Sequence, residues 1–396
     1  MPSSISNFRN RLRLPRLFFR QPSREEQIHG GPPLEFERPI PPAPWRGIAV
    51  VISIVVIAAT TAWELYCRSL GYGPSLNDNE DLWTMARRGV QPESIVVIGD
   101  SRAWFDVDLD EFQKGLGKRP VQLALAGSTV WPVLDDLAKD ERFHGTVICS
   151  FVPGLFFAPP GSPPMERAEK SVKRFHNQTP AQRAGEYLAI PLEERLAFLK
   201  PDDLSLEALL NDLPIPNRPY AQVPPPLPPY FSSLDRGRRA RMVEQCAQPG
   251  KLQEKVKHRW ARLFTPPPPP SFIPAEVFAK KMHDSFESRF ADTKALVDKL
   301  RARGGKIVFV RFPMSGDLKT FEDQTTPRGP TWDRLLKETA APGVYFEDFP
   351  ELASFTCPEW SHLSAGDSVE FTKRLVPHLR DALAISDAAR TVASMH

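Results

Sequence analysis

Residues 94–102 read Ser94-Ile95-Val96-Val97-Ile98-Gly99-Asp100-Ser101-Arg102, a short apolar, β-branched run that breaks directly into a polar turn. A strand that is apolar at nearly every position is buried on both faces, the condition found inside a parallel sheet. Four further runs of this kind follow at 121–124, 146–151, 306–312 and 344–346. Helix-period stretches separate them at about 108–116, 131–139, 275–303 and 331–339, and a last amphipathic helix is expected over 365–383. This alternation predicts an α/β fold with a doubly wound parallel sheet.

The third and fourth runs lie further apart than one crossover helix requires. Between about 153 and 274 the helix-like pieces at 185–199, 204–213 and 242–264 are broken by VPPPLPPY (223–230) and by five consecutive prolines (266–270). Proline has no amide hydrogen and a fixed φ, so these runs are expected to be extended polyproline segments within an inserted, proline-rich helical cap. Much of the excess in the 43 prolines is clumped in such runs, and no internal repeat stands out. A proline-rich partner motif is the other reading of the same runs.

The stretch 47–66, GIAVVISIVVIAATTAWELY, is long enough at 1.5 Å per residue to make about 30 Å of helix, the thickness of a hydrocarbon core. Trp45 and Trp63 stand near its ends as interfacial residues do. Arg9, Arg11, Arg13, Arg16, Arg20, Arg24, Arg38 and Arg46 precede it, whereas Arg68 is soon followed by Asp78, Glu80 and Asp81. The positive-inside rule then predicts a single-pass inner-membrane protein with a cytoplasmic N-terminus and a periplasmic or extracytoplasmic domain. Residues 1–46, basic and proline-rich, are expected to be disordered and cytoplasmic, 47–66 to be the transmembrane helix, and 67–396 to be the folded domain. A cleaved signal peptide has the same polarity, but its n-region is normally much shorter. Cys67 invites a lipoprotein reading, which bulky Tyr66 before it disfavours.

The net charge of +3 over 396 residues gives no footprint for nucleic acid or a strongly acidic partner. Cys67, Cys149, Cys246 and Cys357 form no metal-ligand spacing, so neither a metal nor another cofactor is expected, while one disulfide is compatible with export.

Chemistry enters at two places. Ser101 follows the first expected strand, at the carboxyl end where doubly wound sheets bind ligands, and its amide lies near a helix start that favours developing negative charge. Gly-Asp-Ser is also an ordinary turn sequence. The second place is Cys357-Pro358-Glu359-Trp360-Ser361-His362, where a histidine stands three residues after a carboxylate, between the last strand and the last helix. His362 there could serve as a general base for Ser101, with Glu359 holding the imidazole in one tautomer and Asp348 as the rival orienting group.

The order of these blocks, Gly-Asp-Ser first, a glycine after the second strand, and a carboxylate-x-x-His before the final helix, resembles the SGNH (GDSL-like) hydrolase superfamily. The resemblance implies a flavodoxin-like sheet and esterase, lipase or acyltransferase chemistry over most of residues 92–385 apart from the cap. It implies Ser101 as nucleophile, His362 as base, Glu359 in place of the usual aspartate, and an oxyanion hole from the amides of Ser101 and Gly127. The family's third block carries an asparagine in Gly-x-Asn-Asp; here Ser150-Phe151-Val152-Pro153-Gly154 has none. Loss of one such donor costs on the order of 3 kcal/mol, so another group fills the role or the enzyme is slower. Arg102 and Arg311 are candidates for gripping a substrate carboxylate or phosphate, or else for ion pairing with Asp100 or Asp106. The expected function is that of an extracytoplasmic esterase, deacylase or O-acyltransferase acting on an acylated envelope polysaccharide or related ester. The expected alternative is an inactive SGNH-like accessory protein of a membrane acyltransferase.

Overall fold

The computed structural model describes residues 44–200, 231–264 and 273–394, with side chains up to 384. Residues 1–43, the helix-like piece at 204–213 and both proline runs lie outside the described residues. The chain divides into a unit ending at Thr60 and a unit from Thr61 to His396. The first is described only from residue 44 and contains most of helix α1, Trp45–Ser69, which is long and apolar enough to cross a membrane.

The second unit is α/β. In chain order it contains α2 (Glu80–Arg88), β1 (Ile95–Ile98), α3 (Ser101–Phe105), α4 (Leu109–Leu116), β2 (Val121–Gln122), α5 (Trp131–Lys139) and β3 (Thr146–Ser150). Then come α6 (Pro153–Phe156), α7 (Pro163–Asn177), α8 (Pro180–Glu193), the hairpin strands β4 (Ser232–Leu234) and β5 (Ala240–Met242), α9 (Glu244–Ala247) and α10 (Lys251–Ala261). The unit closes with α11 (Ala275–Arg301), β6 (Lys306–Arg311), α12 (Gly316–Thr325), α13 (Arg334–Thr339), β7 (Gly343–Tyr345), α14 (Pro350–Ala353) and α15 (Ala365–Ser394).

The main sheet has five strands in the order β2-β1-β3-β6-β7, all parallel. From β1 the chain moves outward to β2 and then back past β1 to β3. Right-handed crossovers in these two directions place α4 and α5 on opposite faces. Accordingly α4 packs with α15 and α5 with α11. The strands are apolar throughout because both faces are covered: Val96, Val97, Ile98, Val308 and Phe309 are all buried.

Several boundaries differ from expectation for local reasons. The second strand keeps only Val121–Gln122, although Leu123 and Leu125 still donate to Val97 on β1 and to Gly99 just after it. The edge carbonyls of Gln122 and Ala124 are taken not by a strand but by the buried guanidinium of Arg238, at 2.8 and 3.0 Å, which also binds Asp78. Helix α11 stops at Arg301, before a turn in which Gly304 has φ of +85°. The helix expected at 331–339 is a π turn over Gly329–Asp333 followed by α13. Helix α15 runs beyond residue 383 to Ser394.

The described part of the segment between β3 and β6 does not form a separate lobe. Helix α7 packs on α2 and α5, and β5 lies against α3. All four cysteines are free and buried, so no disulfide forms. Burial pushes the thiols of Cys149 and Cys357 well above their ordinary range, which leaves them unreactive.

Candidate active site

The strand order reverses between β1 and β3, and a ligand crevice in such sheets opens beyond that point. Two hydroxyls stand at this edge: Ser101 after β1 and Ser150 at the end of β3. They are tied through Asp100, whose Oδ2 accepts from Ser150 Oγ at 2.9 Å while its Oδ1 accepts from the Arg102 amide at 2.8 Å. The strands approach so closely that a Cβ on Gly99 would lie 2.4 Å from that of Ser150, and Gly99 has φ of +140°. Only glycine fits there.

Ser101 is half-buried at the first position of α3. That helix has five residues and one of its first amides is already used by Asp100, so its dipole supplies less to an anion than the sequence suggested. Gly127, with φ of +62°, sits in an exposed turn two residues past the last bond to β1, beside Arg167, which donates to Ala126.

His362 is fully buried. Its Nδ1 lies 2.9 Å from Oε1 of Glu359, which also accepts from the His362 amide at 2.6 Å. Oε2 of Glu359 accepts from the indole N–H of Trp260 on α10. Glu359 is therefore held at both oxygens. Asp348, the rival orienting group, pairs instead with Arg328. The imidazole lies against Phe105, with ring centres 4.5 Å apart, and Phe231 and Trp260 flank it at 5.7 and 5.9 Å. Phe105 is four residues from Ser101 on α3, so the two side chains share one helix face. The Nε2 atom of His362 is buried without a hydrogen-bond partner among the described residues, and no hydrogen bond joins it to Ser101.

A second carboxyl lies below this pair. Asp106 Oδ1 accepts from the Leu363 amide at 2.8 Å, whereas its Oδ2 is buried and unpaired. Burial pushes its pKa well above the carboxylate range, with Glu359 and Asp100 adding to the rise.

Arg102 and Arg311 do meet, but around a carboxylate of the chain itself. Glu322 on α12 binds the guanidinium of Arg102 and, at 2.5 Å, Nη2 of Arg311, whose Nη1 donates to Phe151 O at 3.0 Å. Burial acts to raise the Glu322 pKa, but the two guanidinium charges outweigh it and hold the group at about 2. Neither arginine pairs directly with Asp100 or Asp106. Beyond the end of β3 an apolar cleft of about 300 Å³ opens among Pro153, Gly154, Phe157, Phe286 and Thr331; neither Ser101 nor His362 lines it.

Glu322, Trp260 and Phe231 were not named from sequence; Asp106 entered only as an ion-pair candidate for an arginine and Ser150 only within the block that lacks an asparagine. Only Ser150 carried a usable signal, its position at the end of a central strand. The others come from segments whose placement no local pattern encodes. No family model matches the chain, and no curated protein or solved structure matches it either.

Proposed function

We propose that this chain is a membrane-anchored serine hydrolase or O-acyltransferase of SGNH-like design, with its N-terminus in the cytoplasm and residues beyond α1 outside it. The observation that carries the reading is the buried Glu359–His362 pair, set against the helix that begins at Ser101. A carboxylate fixed at both oxygens holds Nδ1 as the protonated nitrogen and leaves Nε2 as the acceptor. In the reaction, Ser101 Oγ attacks an ester carbonyl and His362 Nε2 takes its proton. The tetrahedral adduct collapses to acyl-Ser101, and the imidazolium returns the proton to the departing alcohol. Water or a sugar hydroxyl then gives its proton to Nε2 as it attacks the acyl group, and the imidazolium returns that proton to Ser101 Oγ as the acyl–Oγ bond breaks, restoring free Ser101 and neutral His362. Amides near Ser101 and Gly127 would bear the oxyanion, in a site without the family's asparagine. Because Phe231 and Trp260 cover the imidazole, substrate entry requires these rings to shift. The substrate class that suits an outward-facing anchored domain is an acylated envelope polysaccharide or a related ester.

A fluorophosphonate probe applied to the full chain in membranes is expected to label Ser101, with labelling lost in Ser101→Ala and His362→Ala. Folded wild-type chain that never forms the adduct overturns the hydrolase reading. One observation favours a second reading, a non-catalytic partner of a membrane acyltransferase: the missing Ser101–His362 hydrogen bond. On that reading Ser101→Ala leaves polymer acylation in cells unchanged.

A further inference from the structure

Helix α8 is turned inside out for a soluble protein. Its two carboxylates face inward: Glu193 takes the amide of Asn77 at 2.9 Å and its side chain at 2.7 Å, and Glu186 takes the side chain of Asn79 at 3.0 Å. Both are buried. At 100° per residue the outward arc carries Ala181, Ala184, Tyr187, Leu188, Pro191 and Leu192, with no charged residue among them. Among the described residues Tyr187, Leu188 and Leu192 are 60, 72 and 54 % exposed, values that core-facing side chains of these types do not show.

A second, independent relationship says what covers this arc. Glu64 is the first charged residue after Arg46, so it marks where the apolar part of α1 ends. Its carboxylate accepts from the amides of Ala197 and Phe198 at 3.0 and 3.1 Å, and Arg68 donates to Arg195 O at 2.9 Å. The chain immediately after α8 is thus pinned to the last turns of the apolar helix. Around that junction Trp63, Leu65, Tyr66 and Leu70 are also exposed, and the Trp63 ring lies tilted beside that of Tyr66 with centres 5.5 Å apart. Aromatic residues in this position are typical of the lipid–water boundary. The boundary that Glu64 and these aromatic rings mark therefore lies beside the chain that follows α8.

We infer that α8 is an interfacial helix: its uncharged arc lies in the headgroup and upper acyl region of a bilayer surface. The largely apolar cleft of about 330 Å³ beside it, between Tyr187, Pro191 and Met85 with Arg236 at its wall, borders the same arc. The inference does not depend on any catalytic role for Ser101.

The test uses the full chain in phospholipid nanodiscs, with an environment-sensitive fluorophore at Leu188→Cys, Leu192→Cys or the control Lys294→Cys on α11. The native cysteines are buried, and Lys294 has a half-exposed side chain. Doxyl lipids carrying the quencher high on the acyl chain are expected to cause roughly twofold loss of emission at 188 and 192 and little at 294. Equal quenching at all three sites overturns the proposal. So does shielding of 188 from iodide without lipid quenching, which would mean coverage by protein; energy transfer that grows with chains per disc would then identify a second copy.

Discussion

Trp260 donates its indole N–H to Glu359, a residue 99 positions further along the chain, and in doing so fixes the carboxylate that holds His362. The fixation has a measurable side. Glu359→Gln keeps the shape but presents an amide N–H₂ to either the imidazole or the indole, so one donor is left facing another. In serine hydrolases a comparable loss of the orienting carboxylate lowers kcat about 10⁴-fold. Glu359→Gln is expected to lower the rate of Ser101 acylation by about 10²–10⁴-fold, and Trp260→Phe by about tenfold, measured as labelling rates at saturating probe.

Glu322 binds two guanidinium groups that are each only 3–4 % exposed. Glu322→Gln removes the negative charge and leaves both buried cations uncompensated, which costs about 3–5 kcal/mol when one partner of a buried pair is deleted. Denaturant unfolding of the chain in detergent is the measurement; an unchanged midpoint would contradict the account. Because the folded-state pKa is held at about 2, below its ordinary 4.5, this group contributes stability above pH 4.5 and loses it as the pH falls towards 2.

Asp106 has the opposite sign. Its folded-state pKa is raised above the ordinary 3.8, so the native state binds the proton more tightly than the unfolded chain does. It contributes most below pH 3.8, and stability declines as the pH rises past that value. Asp106→Asn retains an acceptor for the Leu363 amide and does not titrate. The variant is expected to gain stability over wild type by pH 7–8 and to gain little at pH 4; Tm measured across that interval checks it.

Gly99→Ala places a methyl group 2.4 Å from the Ser150 Cβ at a φ of +140°. Strain and overpacking of this kind together cost about 2–4 kcal/mol. The β1 and β3 ends would separate and weaken the Ser150–Asp100 hydrogen bond. The expected result is a lower Tm with a loss of probe labelling beyond what Ser101 accessibility explains.

The sheet was legible because burial on both faces leaves a continuous apolar run with no alternation, and all five strands fall within one to two residues of the expected spans. Helix α5 matched at both ends, Trp131 and Lys139, since its apolar face recurs at helical spacing. The Glu359–His362 contact could also be read, because three residues of a tight turn bring the two side chains together whatever the rest of the chain does. What could not be read was everything set by long-range packing. Arg102 and Arg311 could be read as anion-gripping candidates, but the Glu322 that lies between them comes from a helix with no distinguishing pattern. The covering of His362 by Phe231 and Trp260 depends on where the segment before α11 returns to the sheet, and no local propensity specifies that.

The guanidinium of Arg238 has a consequence for how copies of this chain can associate. With the Gln122 and Ala124 carbonyls already occupied, the β2 margin offers no free acceptors at those positions to template an incoming strand. Edge-to-edge pairing through those two positions is thereby disfavoured, whereas β7 forms the other margin of the main sheet among the described residues.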